Sequence, residues 1–239
     1  MKYLATIPVP VNRQSATVMP AELQDASGDA WETFVESCRD TGLEVPGNPE
    51  FRNYLQRIWA CSEFAAQACI LEPGLLFELL ASGDLLTAYA AGELDARLEL
   101  LLSDSIDEAE LSRVLRNFRR REMLRIACRD LAGWAPLGEV LGDLTGLADA
   151  CISRTLARLG DNALQQAGGR ARKLTPSLVV LGMGKLGAGE LKFSSDIDLI
   201  FAYPPGGPGW PGGLPGPEAF YLQLGHQLIR ALGDRTEHG

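Results

Sequence analysis

Apolar side chains recur at helical spacing from Trp31 to about Gln166, and the pattern turns strand-like only after Lys173. Within the first stretch Phe51, Tyr54, Leu55, Ile58, Trp59 and Ala65 fall on one side of a 3.6-residue period, which predicts a helical stripe packed into a core. Turn signals break the periodic runs at Val45-Pro46-Gly47-Asn48-Pro49, Glu72-Pro73-Gly74 and Ser82-Gly83-Asp84. Between Asp107 and Leu131 the stripe changes character. Leu111, Leu115 and Phe118 define it, and Glu122, Arg125 and Arg129 then occupy the same angular positions. Either the helix leaves the core there, or the arginines turn toward an anionic ligand or partner.

Past Lys173, Ser177 to Leu181 reads as a buried strand and Ile197 to Tyr203 as a second. From Pro204 to Pro217 every residue except Trp210 and Leu214 is Pro or Gly, which forbids regular structure and predicts a surface loop. Helical spacing returns over Glu218 to Leu232 through Phe220, Leu224, Leu228 and Ala231, with His226 on the opposite, solvent-facing side. The expected organisation is α+β: a loosely ordered lead-in over 1–30, a large helical domain over 31–171, and a further domain over 172–239.

Charge and composition narrow the possibilities. A net charge of −9 opposes standing attraction to a polyanion, so a nucleic-acid partner is not expected. The segment Met1 to Arg13 lacks the sustained apolar run of a signal peptide, and no later stretch reaches about 18 uncharged apolar residues, so no membrane partner is expected either. Cys38, Cys61, Cys69, Cys128 and Cys151 form no CxxC pair and lie in stretches that read as helical core. Their odd number and scattered spacing predict reduced thiols and a cytoplasmic setting.

The chemistry concentrates in Leu178 to Tyr203, a strand, a glycine-rich turn, a short helix and a second strand. Gly182-Met183-Gly184-Lys185-Leu186-Gly187 satisfies the dinucleotide-binding fingerprint, but only about eight residues separate Gly187 from the second strand, too few for a parallel crossover. A P-loop fails as well, because Val179 stands where the leading glycine belongs and Leu186 replaces the magnesium-binding Ser/Thr. The third reading fits every part: a glycine turn, then Asp196-Ile197-Asp198 opening a strand, resembles the pattern of polymerase-β-like nucleotidyltransferases.

Strand alternation would point Asp196 and Asp198 the same way and send Ile197 and Leu199 into the core. Two such carboxylates are the candidate catalytic groups and ligands for Mg²⁺ or Mn²⁺, which suit hard oxygen donors. The backbone around Gly182, Gly184 and Gly187, with the charge of Lys185, could cradle a phosphate, and Ser195 could donate a hydroxyl to it. Plainer readings stand beside these: a solvated strand end for the two aspartates, a solvated turn residue for Lys185, and turn formation for Ser194 and Ser195.

The run from Gly182 to Tyr203, GMGKLGAGELKFSSDIDLIFAY, closely resembles the signature of the bifunctional glutamine synthetase adenylyltransferase and adenylyl-removing enzymes. Asn117 to Ile126, NFRRREMLRI, resembles a second motif of that family, and the resemblance extends over roughly 40–239. Members carry two nucleotidyltransferase units in tandem, and the wording here is more similar to the N-terminal, adenylyl-removing one. The resemblance implies a partial polymerase-β-like fold after the helical region, and a part in regulating nitrogen assimilation. The implied reaction is phosphorolysis, with inorganic phosphate removing AMP from a tyrosine of glutamine synthetase as ADP. ATP serves the opposite, adding activity, and the PII signal protein and glutamine are the implied regulators, although no residue identifies their surfaces.

Two departures from the family pattern are Ala188, where Gly is usual and whose side chain would restrict the helix start, and Lys192, where Asn is common. The family's third acidic ligand lies on a strand that would begin beyond Gly239, so the chain is expected to be a fragment without measurable removase activity. Two alternatives remain: another small-substrate nucleotidyltransferase, which would share the aspartates but not the arginine-rich motif, or a non-catalytic module docking on glutamine synthetase through Arg119 to Arg129.

Overall fold

A computed structural model describes residues 21–102, 107–166, 178–205, 210 and 214–233, with side chains described from Ser27 onward. In chain order the elements are α1 (Ala21–Asp40), α2 (Pro49–Cys61), α3 (Glu63–Leu71), α4 (Pro73–Ser82), α5 (Glu93–Leu101), α6 (Glu108–Leu131), α7 (Leu137–Gln166), β1 (Val179–Gly182), α8 (Gly184–Gly187), β2 (Leu199–Ala202) and α9 (Pro217–Gly233). The architecture is thus α+β and predominantly helical. Helix α1 starts inside the expected lead-in, because Ala21 to Gln24 are strong helix formers despite the Ser27-Gly28 pair downstream. Among the described residues no single helix is long and apolar enough to cross a membrane.

The chain forms two compact units, one from Met1–Ala88 with Arg120–Val140, the other from Tyr89–Arg119 with Leu141–Gly239. This partition cuts across the division drawn from hydrophobic pattern. The second unit recruits part of the helical region to the sheet, and the change of character near residue 172 itself lies outside the described residues.

In the first unit the turn signals act as expected. Asn48 caps α2 by accepting from the Glu50 N–H at 2.8 Å, and Gly83 ends α4 in a left-handed conformation at φ 76°. The α2 stripe buries Phe51, Leu55, Ile58 and Trp59, but it stops at Ser62, which ends α2 and caps α3, so Ala65 packs from the next helix. These residues share one apolar core with Trp31, Phe34, Cys38, Cys69, Leu76, Leu79, Leu124 and Cys128.

Neither expectation for the arginine stripe on α6 holds. Glu122 and Arg125 are fully buried and Arg129 nearly so; the helix stays in the core and the arginines find their anions inside it. Arg125 Nε donates to Glu122 at 2.9 Å, Arg129 donates to Glu139 at 2.5 and 2.9 Å, and Arg121 pairs with Asp84, Glu78 and Glu122. Arg125 and Arg129 also donate to the carbonyls of Thr87 and Leu85, so successive turns of α6 grip the segment that follows α4.

In the second unit, Arg154 on α7 pairs with Asp95 and Glu99 on α5, while Arg158 reaches Glu99 and the Leu102 carbonyl. Helix α9 buries Phe220, Tyr221, Leu224 and Leu228, leaves His226 exposed as expected, and is held by Arg119, which donates to the Leu232 carbonyl at 3.3 Å. Of the Pro/Gly loop, Trp210 is described: its indole N–H donates to the Pro215 carbonyl at 2.8 Å and its ring packs edge-on against Phe220.

The sheet described is the antiparallel pair β1–β2, in register Val179↔Ala202, Val180↔Phe201, Leu181↔Ile200 and Gly182↔Leu199. It confirms that the short connection cannot make a parallel crossover. Strand β1 is not buried as expected: Val179 and Leu181 remain 50% and 48% exposed. Its other face looks toward helices. Val180, Gly182 and Leu199 line a cavity with α7, Gly225 of α9 lies against Phe201, and Tyr203 stacks on Tyr221. One covered face and one open face give the alternation of burial seen along both strands.

Candidate functional site

The glycine-rich turn is built by steric necessity. A Cβ on Gly182 would lie 2.8 Å from the Leu186 side chain, one on Gly187 would overlap the Gly182 carbonyl oxygen, and Gly184 sits at φ 55°, a left-handed conformation that glycine adopts freely. Leu186 is buried, and α8 closes with the Gly187 N–H donating to the Met183 carbonyl and the Ala188 N–H to the Gly184 carbonyl. The Gly187 N–H is therefore already bonded within the turn. Those of Gly184, Lys185 and Leu186 are the groups that a first helical turn leaves without an intrahelical acceptor. Ala188 follows the end of α8 at φ −83°, a right-handed conformation that any residue adopts, so it does not restrict the helix start.

From the turn the chain runs through a loop to Asp196 and Asp198. The Glu190 N–H donates to the Lys185 carbonyl at 2.8 Å, and Leu191 is buried with its N–H donating to Thr145 Oγ1 of α7 at 3.3 Å. Ser195 and Lys192 close a reciprocal turn: the Lys192 N–H donates to Ser195 Oγ at 3.1 Å and the Ser195 N–H to the Lys192 carbonyl at 3.0 Å. Ser195 is thus a turn former whose hydroxyl hydrogen remains available as a donor, while Ser194, Lys185 and Lys192 are exposed.

Both aspartates are exposed and precede β2, which begins at Leu199 rather than Ile197. The Met183 N–H donates to the Asp198 carbonyl at 2.9 Å, extending the β1–β2 register by one pair. Strand alternation therefore places Asp198 on the open face with Ile200 and Ala202, away from the cavity that Leu199 lines. Asp196 lies outside the ladder, so alternation does not fix its direction. The expectation that Ile197 goes into the core fails, since it is 43% exposed, and Leu199 is half-buried. The turn thus brings Gly182, Gly184, Lys185 and Gly187 beside Asp198, with Ser195 and Asp196 on the adjoining loop.

Among the described residues no group of three or more His, Cys, Asp or Glu is arranged to hold a metal ion. The acidic pair still fits magnesium or manganese by donor chemistry, because such ions take one or two protein carboxylates and complete an octahedron with water and phosphate oxygens. Behind the turn, on the α7 side of the sheet, is a cavity of about 490 Å³ lined by Asp149, Ile152, Ser153, Leu156, Leu186 and Leu199, among others. Burial raises the Asp149 carboxyl above its usual range.

Leu191 and Thr145 escaped the sequence reading. Leu191 carried a usable signal, an apolar residue in a polar loop. Thr145 carried none, because its partner lies 46 residues away.

The sequence model of the glutamate-ammonia ligase adenylyltransferase family matches residues 52–239. Among curated proteins, the chain is 42% identical over 95% of its length to a bifunctional glutamine synthetase adenylyltransferase/adenylyl-removing enzyme of Thioalkalivibrio sulfidiphilus. Proteins of the same name in Nitrosococcus oceani and Pseudomonas aeruginosa are 43% and 42% identical over 92% and 94% of the chain. In all three the chain spans 23% of the relative's length.

Proposed function

The chain belongs to the glutamate-ammonia ligase adenylyltransferase family, and from that membership we propose that it carries a metal-dependent nucleotidyltransferase site centred on Asp196 and Asp198. The proposed reaction is removal of AMP from an adenylylated tyrosine of glutamine synthetase, in the cytoplasm, with inorganic phosphate as acceptor and ADP as product. ATP-driven addition of AMP would belong to the larger protein. The observation that carries the reading is the placement of Asp198, one pair beyond Gly182↔Leu199 and hydrogen-bonded through its carbonyl to Met183 in the glycine turn. An antiparallel pair joined through a glycine turn, with acids opening the second strand, also supports a partial polymerase-β-like fold.

In this reading an oxygen of hydrogen phosphate attacks the α-phosphorus and forms the new P–O bond, the bond from that phosphorus to the tyrosine oxygen breaks, and the departing phenolate takes the proton that the phosphate gives up, leaving ADP. Phosphate is already ionised, so no strong general base is needed. Asp196 and Asp198 would hold Mg²⁺ or Mn²⁺, which supplies charge neutralisation at the phosphoryl oxygens when bound. Lys185 and the first-turn N–H groups of Gly184, Lys185 and Leu186 would orient a phosphate beside the pair, with the Ser195 hydroxyl as a further donor. A docking role for the arginine-rich helix narrows to Arg119 and Arg120, because Arg121, Arg125 and Arg129 are paired with acids inside their own unit.

Because no third acidic group joins the pair among the described residues, cation uptake rather than turnover is the property to test in the chain itself. Titration with Mn²⁺, followed by the paramagnetic resonance of the free ion, should show saturable uptake. Asp196→Asn and Asp198→Asn should each weaken it by at least the roughly tenfold that even an outer-shell change costs. Uptake that ignores both substitutions would overturn the reading.

A further inference from the structure

We infer that Thr145 is a positioning residue for the loop that carries Asp196 and Asp198, an inference that rests on the proposed role of those two carboxylates. Between Glu190 and Asp198 the loop's own hydrogen bonds tie it to itself or to the neighbouring turn: Glu190 to Lys185, Lys192 to Ser195, Met183 to Asp198. The bond from the Leu191 N–H to Thr145 Oγ1 instead reaches a separate element, a long helix, and it does so where Leu191 is 6% exposed. Among the described residues the loop is therefore tied to a separate element at one part-buried hydrogen bond, five residues before Asp196 and seven before Asp198.

Thr145 is a poor choice for the interior of α7 on propensity alone, since a β-branched side chain loses freedom against the preceding turn. Its hydroxyl compensates by accepting a backbone N–H that burial of Leu191 would otherwise leave without water. A carboxylate pair binds a cation well when its loop is already held in the bound geometry, because less ordering entropy is lost on binding. Thr145 supplies that order without touching the ion or the substrate.

The test compares Thr145→Val, which keeps the shape and removes the acceptor, with Thr145→Ser, which keeps the acceptor, in the 239-residue chain. Hydrogen exchange of the amides from Leu191 to Asp198 should quicken about tenfold in the valine variant and return toward the starting rate in the serine variant, with the β1–β2 amides unchanged. Mn²⁺ affinity should fall about five- to tenfold in the valine variant and recover in the serine variant. A purely structural role would lower thermal stability and leave the Mn²⁺ affinity where it was. Unchanged loop exchange in Thr145→Val overturns the inference, as does altered exchange with undiminished Mn²⁺ affinity. If the loop loosens but the unsubstituted chain takes up no carboxylate-dependent Mn²⁺, Thr145 stands as the loop's anchor and the metal reading of Asp196 and Asp198 is what fails.

Discussion

At Gly187 any side chain would run into the Gly182 carbonyl oxygen, and backbone cannot step aside as a flexible side chain can. Gly187→Ala is therefore expected to cost about 1–3 kcal/mol by overpacking, and Gly184→Ala about 1–2 kcal/mol by forcing a Cβ into the left-handed region. Ala188→Gly, at an ordinary right-handed position, should leave the urea midpoint nearly unchanged or slightly lower. Equal midpoints for all three variants would show that the turn relaxes more easily than its geometry implies. The same residues show what a motif can and cannot say. The spacing Gly182-x-Gly184-x-x-Gly187 was legible and named a tight strand-to-helix turn. Its reasons, Leu186 packed on Gly182 and Gly187 on the Gly182 carbonyl, depend on three-dimensional closure that no spacing rule contains. Asp198 was legible for the same cause that Ile197 was misread: alternation holds inside the ladder, and the ladder starts one pair later than the apolar pattern suggested.

At the scale of elements, α6 shows how a helix can carry charges along its buried face. Glu122 lies between Arg121 and Arg125, so neutralising it removes the carboxylate from a fully buried, charge-assisted hydrogen bond with Arg125. Glu122→Gln should cost about 1.5–3 kcal/mol, the range for a lost hydrogen bond to a charged group. The comparison is Glu110→Gln, in the exposed pair with Arg113 on the same helix, which should leave the unfolding curve unmoved. Should both variants unfold together with the parent in urea, the buried network would be contributing nothing. Its register was visible in the sequence, because Leu111, Leu115, Phe118, Glu122, Arg125 and Arg129 follow one helical line. Its burial was not, because Glu78, Asp84 and Glu139, and the carbonyls of Leu85 and Thr87, arrive from elsewhere in the chain and only folding reveals that the arginines are satisfied. The elements with local signals fared better: Asn48, Gly83 and the Phe220-Leu224-Leu228 line each fixed a helix end or face where the structure has it.

Across the whole molecule the cysteines couple folding to alkaline pH. Cys38, Cys69 and Cys128 lie in the core of the first unit and Cys151 is buried in the second, while Cys61 is exposed, so the sequence placed four of the five correctly and missed the one at the end of α2. Burial pushes Cys38 up to about 11, Cys128 and Cys151 up to about 12, and Cys69 well above its ordinary value of 9.0. In the unfolded chain these thiols ionise near their ordinary value, whereas in the folded chain they keep their protons. The folded state then binds more protons than the unfolded one above pH 9, so ∂ΔG/∂pH is negative there. Their contribution is fully present below about pH 9 and is lost as pH rises toward 11 and 12. Urea midpoints measured from pH 8 to pH 10.5 should therefore fall progressively above pH 9, and Cys128→Ala should flatten part of that decline even though it lowers the midpoint at pH 8. A thiol reagent at pH 8 should titrate one rapid group in the native chain and five in denaturant, the rapid one disappearing with Cys61→Ser. Several rapid native groups, or an alkaline decline that Cys128→Ala does not alter, would mean that the cores open to solvent far more readily than their burial implies.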